Sequence, residues 1–196
     1  MLDAACGTAD VGLEFHRQAG DSVHVVGIDF AVPMLQLAAS KTRSLEKQSA
    51  IHLTAADAFQ LPFRSAAFDA VSMAFGIRNI RNKAAVLGYF FDCLKPGGRL
   101  AILELSIPSS GPLGRAFLFY FNRLLPLLGR FISNHRFAYT YLPASVADFP
   151  KAETFAALMR EVGFKNVRYR KMTLGIAVLF IGEKPPAACK RNLNKG

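Results

Sequence analysis

Residues 2–10 run Leu2-Asp3-Ala4-Ala5-Cys6-Gly7-Thr8-Ala9-Asp10. A short apolar run, Met1–Ala5, breaks at a glycine-containing turn, and a helix-like pattern over Val11–Ala19 follows at once. A buried parallel strand hands over to its crossover helix in this way. The pattern then repeats. Val23–Ile28 is rich in β-branched residues and stops at Asp29. Pro33–Thr42 reads as a helix with Met34, Leu35 and Ala38 on one face. Ile51–Ala55 is strand-like and leads to Asp57, and Phe68–Phe75 is a fourth strand. Lys83–Leu94 carries Val86, Leu87, Phe90, Phe91 and Leu94 at helical spacing, with Pro96-Gly97-Gly98 as its stop signal. Arg99–Leu105 is a fifth strand. Strands alternating with helices across short connections specify an α/β fold, a parallel sheet with helices on both faces.

After Ser106 the alternation breaks, and residues 107–149 read as a helical insertion after the fifth strand. A helix resumes over Lys151–Val162, with Phe155, Leu158, Met159 and Val162 on its apolar face, Pro150 near its first turn and Gly163 just past its end. The strands Asn166–Thr173 and Leu174–Glu183 leave no room for a helix between them, so they pair antiparallel. The sheet is therefore mostly parallel with an antiparallel C-terminal strand. Residues 1–184 make one domain, with 107–149 as an inserted lid and 185–196 as a disordered basic tail.

Composition agrees with one core. The 196 residues are 52% hydrophobic and 19% charged, which excludes a disordered chain, a collagen-like chain and a coiled coil. A net charge of +10 favours an anionic partner, either nucleic acid or a membrane surface. The cations are spread along the chain with no aromatic-interleaved basic patch, which argues against nucleic acid. Cys6, Cys93 and Cys189 are too widely spaced for a metal pair or a disulfide framework, so a cytoplasmic setting without a metal is expected. No run approaches the roughly 18 apolar residues of a membrane span.

Ligands of open α/β sheets bind beyond the C-terminal ends of the strands. Three of those ends carry informative residues: Gly7 to Asp10 after the first strand, Asp29 after the second, and Asp57-Ala58 after the third. Asp29 stands 22 residues after Gly7, the spacing of an acid that binds ribose hydroxyls. Ala9 takes the second glycine position of a dinucleotide fingerprint, and Asp10 would repel a pyrophosphate. An acidic turn suits a ligand with an adenosine and a positive centre. S-adenosylmethionine (SAM) has both.

At these same positions the chain resembles a known family. Residues 2–10, Gly27-Ile28-Asp29-Phe30, Leu61-Pro62-Phe63, Phe68-Asp69 and Leu94-Lys95-Pro96-Gly97-Gly98-Arg99-Leu100 resemble class I SAM-dependent methyltransferases. Phe75-Gly76-Ile77-Arg78-Asn79, Leu103-Glu104, Leu125-Pro126, Gly129-Arg130, Tyr139-Thr140-Tyr141-Leu142-Pro143 and Ser145 narrow the resemblance. They are similar to the UbiE/MenG-type C-methyltransferases of ubiquinone and menaquinone biosynthesis. The resemblance covers residues 1 to about 183 and implies a Rossmann-like class I methyltransferase fold. It implies cofactor contacts at Asp3, Gly7, Thr8, Asp29, Asp57, Ala58 and the position of Ala74. Asp29 would accept the ribose hydroxyls, and Asp57 would meet the adenine amine with the Ala58 backbone beside it. Ala9 stands where the family usually has glycine, and a left-handed backbone there would cost roughly 1 kcal/mol. Ala74 stands where many members have serine. The family carries a helical segment before the first strand, whereas this chain starts in that strand, so a weaker enzyme than an upstream-extended chain is expected.

The implied reaction is methyl transfer from a sulfonium to an aromatic carbon of a polyprenyl quinol precursor. Arg78 would stabilise a developing phenolate, and Asn79 would orient the hydroxyl or a water. Asp29→Ala is expected to weaken SAM with little loss of fold, and Arg78→Ala to lower turnover far more than SAM affinity. His16, His24 and His52 lie away from the reacting ends and are expected at the surface, while His135, in the insertion, is a weak candidate base. Cys6 reads as packing. Residues 113–132 set Arg115, Arg123 and Arg130 on one face of an otherwise apolar helix, a pattern for a membrane interface or for a lid over a polyprenyl tail. The partners expected are thus the polyprenyl quinol, a peripheral contact with the inner face of the membrane, a possible homodimer and no nucleic acid. A methyltransferase acting on another small lipid, or a SAM-binding remnant without turnover, stays as an alternative.

Overall fold

The computed structural model describes residues 1–47, 50–108 and 136–187, with 136–140 as backbone only. Seven strands form one sheet: β1 (Leu2–Ala4), β2 (Val25–Asp29), β3 (Ile51–Ala55), β4 (Phe68–Ala74), β5 (Leu94–Leu105), β6 (Lys165–Met172) and β7 (Ala177–Glu183). Their order is β3-β2-β1-β4-β5-β7-β6. All neighbours pair parallel except β7, which runs antiparallel to both β5 and β6. The helices are α1 (Asp10–Ala19), α2 (Val32–Ser44), α3 (Lys83–Cys93), α4 (Arg136–Ala147) and α5 (Ala152–Val162). This is the mostly parallel α/β sheet that the alternation of the sequence predicts.

The central strands turn a row of alternate apolar side chains into the core. Leu2 and Ala4, Val71 and Met73, Leu100 and Ile102, and Val178 and Phe180 are all buried. Phe90 of α3 and Phe155 of α5 close one side of this layer, with Phe155 edge-on to Phe180 at 4.8 Å between ring centres. Helix α1 lies on the other side. Gly12 lets it approach: a Cβ there would sit 3.0 Å from Val25 Cγ1. Gly12 holds the third glycine position of the dinucleotide fingerprint, a packing role the sequence reading left out.

Most boundaries fall within two residues of expectation, and the starts of β5 and β7 differ by more. The helix read as Lys83–Leu94 ends at Cys93, and Leu94 already belongs to β5. The Pro96-Gly97-Gly98 segment is a bulge in that strand, not a loop, because it is held by the end of β7. Gly97 N donates to Lys184 O, Lys184 N donates to Gly98 O (2.9 Å each), and Lys184 Nζ donates to Phe91 O and Leu94 O. The last strand starts at Ala177 rather than Leu174, since Thr173 and Leu174 are left-handed (φ 47° and 57°) and make the turn of the β6–β7 hairpin. Of the expected insertion, α4 is a described helix. The Arg115/Arg123/Arg130 helix, His135 and nearly all of the expected tail, residues 188–196, lie outside the described residues. No helix among the described residues is long and apolar enough to cross a membrane.

His16 departs from its expected surface place. It is 3% exposed, with Nδ1 3.2 Å from Val23 O and Nε2 3.4 Å from Asp21. The chain returning from α1 into β2 folds over this helix position. His24 and His52 are exposed as expected.

Candidate active site

Strand order reverses between β1 and β4, so the connections after them diverge and leave a crevice at the carboxyl ends of the strands. A cavity of about 570 Å³ fills it. Asp29 and Phe30 from the end of β2, Asp57, Ala58 and Phe59 after β3, and Ala74, Phe75, Gly76 and Asn79 after β4 line its wall. Gly76 sits where only hydrogen fits, since a Cβ would stand 2.8 Å from Ala5 Cβ.

Asp29 organises one side. Its Oδ2 accepts Gly7 N and its Oδ1 accepts Ala31 N, both at 2.8 Å. One carboxylate thereby staples the turn after β1 to the start of α2. Each oxygen keeps a second lone pair for a ligand hydroxyl. Gly7 has φ +54°, which favours glycine. Ala9 follows in the left-handed region at φ 64°, the strain expected for alanine at this position. Asp57 Oδ1 accepts Phe59 N at 2.9 Å, which aims its carboxylate locally. Phe30 is 83% exposed at the mouth, an open aromatic face.

Asp3, Gly7 and Thr8 do not line this cavity, and Gly7 and Thr8 are half-buried in the turn beside it. Asp3 is buried under the turn, with Oδ1 accepting Ser72 Oγ at 2.7 Å and Oδ2 without a partner. Burial pushes its carboxyl up to about 6, against the opposing pull of the Ser72 hydrogen bond. The Thr8 hydroxyl donates to Asp10, and Asp10 pairs with Lys41 at 2.7 Å. Cys6 packs below the same turn, as expected, and burial, with the Asp3 and Asp29 carboxylates nearby, pushes its thiol up to about 12. Burial also raises Cys93. The sequence sets Met34 on one helix face with Leu35 and Ala38. Those two are buried, but Met34 lines the cavity, because the first turn of α2 overhangs the strand ends.

The loop after β4 forms the far wall. Residues Ile77–Asn79 make a single 3-10 turn, with Phe75 left-handed at φ 57°. The fully buried Glu104 of β5 holds it. Glu104 Oε2 accepts Arg78 N at 3.0 Å, and Oε1 accepts Arg78 Nη1 at 2.7 Å and Leu105 N at 2.8 Å. Arg78 Nη1 also donates to Phe75 O, while its buried Nε has no partner. Arg78 lines a second cavity, of about 610 Å³, with Arg81, Lys83, Tyr141, Ser145 and Asp148. Asn79 and Ile80 border both cavities. Glu104, Ser72 and Tyr141 are the working residues that the sequence reading gave no role.

A doubly wound sheet with an antiparallel last strand and an acid-rimmed crevice at its switch point defines the Rossmann-like methyltransferase class. Solved structures share this fold. Haemonchus contortus phosphoethanolamine N-methyltransferase 2, in complex with S-adenosyl-L-methionine, superposes with a TM-score of 0.68 at 15% identity over 94% of this chain and 48% of that one. A SAM-dependent methyltransferase from Aquifex aeolicus gives 0.68 at 14% identity, covering 93% and 80%. Sequence relatives are nearer. The ubiquinone/menaquinone biosynthesis C-methyltransferase UbiE of Geobacter sulfurreducens is 44% identical over 184 residues, 94% of this chain and 72% of the relative. The demethylmenaquinone methyltransferase of Thermus thermophilus is 44% identical over 187 residues, 94% and 82%. The ubiE/COQ5 methyltransferase family matches residues 1–184, and the chain belongs to that family.

Proposed function

We propose that this protein methylates a ring carbon of a polyprenyl quinol precursor, with SAM as the methyl donor. The observation that carries the reading is the pair of adjoining cavities, one rimmed by Asp29 and Asp57, the other by cations, with Asn79 between them. The first fits SAM. Asp29 has lone pairs to spare for two ribose hydroxyls, Asp57 and the Ala58 backbone stand one strand further along for the adenine edge, and Phe30 offers an apolar face. At Ala74 no side-chain hydroxyl is present to assist. Bound there, the cofactor supplies an electrophilic methyl group on a positively charged sulfur.

The second cavity takes the quinol ring. An aromatic carbon is a weak nucleophile until the neighbouring hydroxyl loses its proton and its electron density moves into the ring. The Arg78 guanidinium and the Asn79 amide then hold the oxyanion, and positioning across the shared wall lowers the barrier by several kcal/mol. This carbon would take the methyl group of bound SAM as the sulfur–carbon bond breaks, and the ring proton would pass to water as aromaticity returns. A polyprenyl tail keeps this substrate in the bilayer, so the reading carries a location: the cytoplasmic face of the membrane, where a protein of net charge +10 is drawn to anionic lipid. Incubation with methyl-labelled SAM and demethylmenaquinol, followed by mass spectrometry, tests the proposal. The expected product is menaquinol carrying the label. Label that appears only on another lipid, or SAM binding without transfer, would overturn it.

A further inference from the structure

Asn79 borders both cavities, and its side-chain carbonyl is already engaged: Oδ1 accepts the hydroxyl proton of Tyr141 at 2.8 Å. Tyr141 comes from α4, 62 residues further along the chain, where that helix packs against the 3-10 turn of Ile77–Asn79. A primary amide has one acceptor end and one donor end. With Oδ1 held by a hydroxyl donor, the end left for a ligand is Nδ2, which has no protein partner among the described residues. Glu104 fixes the backbone of this turn through Arg78 N, so the rotation of the Asn79 amide is the remaining freedom.

We propose that Tyr141 is a positioning residue for methyl transfer, fixing the Asn79 amide so that it presents its N–H donors at the junction of the two cavities. The inference rests on the reading above, in which the quinol oxygen meets Asn79. An oxygen that has lost its proton can only accept hydrogen bonds. A donor stabilises it, whereas an amide turned the other way sets two acceptors against each other. A phenol hydroxyl donates more strongly than it accepts, so the Tyr141 bond to Oδ1 favours the orientation that turns Nδ2 outward before substrate arrives. The control comes from the helix that closes the insertion, not from the sheet that holds the cofactor, so it acts on the chemical step and not on cofactor binding.

Tyr141→Phe removes the hydroxyl alone, and the residue is 43% exposed, so the fold tolerates it. The expected result is a fall in kcat of about five- to tenfold, the weight of one neutral hydrogen bond. The KM for SAM and the calorimetric affinity for S-adenosylhomocysteine should stay within about twofold, since the cofactor side does not depend on this bond. Asn79→Ala should lose at least as much rate, and the double variant should be no slower than Asn79→Ala alone. In the free 15N-labelled protein, the Asn79 side-chain amide signal, assigned by its loss in Asn79→Ala, should move in Tyr141→Phe. Additive losses in the double variant, an unchanged kcat in Tyr141→Phe, or an unmoved amide signal would overturn the positioning role. Full activity of Asn79→Ala would overturn the site reading beneath it.

Discussion

Asp29 serves two turns with one carboxylate, and this changes what its replacement does. The strand-end position alone suggests a ligand acceptor whose loss spares the fold. The bonds to Gly7 N and Ala31 N show a structural duty as well. Asp29→Asn offers one acceptor oxygen where the carboxylate offers two, so one backbone N–H loses its partner. The expected outcome is a loss of about 1–3 kcal/mol in urea unfolding together with at least about tenfold weaker S-adenosylhomocysteine by calorimetry. Unchanged stability would show that the staple is not made. Asp3 gives the opposite lesson. The family resemblance implied a cofactor contact there, and the side chain lies buried beneath the turn. Its carboxyl titrates near 6 in the fold against 3.8 ordinarily, so between those values the native state holds the proton more tightly than the unfolded chain. The stability this provides is full below about pH 4 and is lost as pH rises through 6. Asp3→Asn, which never ionises, should therefore overtake the native protein as pH rises, by up to about 3 kcal/mol at neutral pH. Urea titrations from acid to neutral pH check this, and a pH-independent difference would contradict it. Asp29 and Asp57 were legible because acids at parallel strand ends have few other reasons to be there. Met34 and His16 were not, because a helix face that meets the core at one turn meets a cavity or a returning loop at the next.

Among the elements, the joint between β5 and the turn after β4 matters most for the site. Leu103-Glu104-Leu105 reads as a strand with an acid in it, and only a cation 26 residues earlier explains why that acid is fully buried. Arg78→Ala is therefore not a clean probe of catalysis. It leaves the buried Glu104 carboxyl in the core without its cation, and both it and Glu104→Ala should cost about 3–5 kcal/mol in denaturant unfolding. Replacing both together, Arg78→Met with Glu104→Leu, should cost less than either Arg78→Ala or Glu104→Ala. A double change costing the sum of the two would argue against a closed pair. Hydrophobic period and turn residues were enough to read every described strand and four of the five described helices. The misread ends, at Leu94 and Leu174, were set by partners remote in sequence. Lys184 draws the Pro96-Gly97-Gly98 segment into the sheet, and no local propensity encodes that contact.

For the molecule as a whole, the order of strands leaves β3 and β6 as edges. β6 carries Lys165, Arg168, Arg170 and Lys171, and cations along an edge discourage pairing with another chain. Arg168 and Arg170 stand opposite Ile181 and Leu179 of β7, so their removal would bare an apolar strip beside an open ladder. The pair Arg168→Val and Arg170→Val should keep the fold by circular dichroism and self-associate in sedimentation velocity. A monomer under those conditions would place the protection elsewhere. The two described cysteines have a consequence of another kind. Quinols oxidise readily, and the resulting quinones are arylating agents that undergo conjugate addition by thiolates. Cys6 is buried with its thiol pushed up to about 12, so it is held as the unreactive thiol at neutral pH, and Cys93 is buried and raised as well. A stray oxidised ring in the crevice therefore meets no ready nucleophile at either position, and the folded protein works beside an electrophile without being modified there.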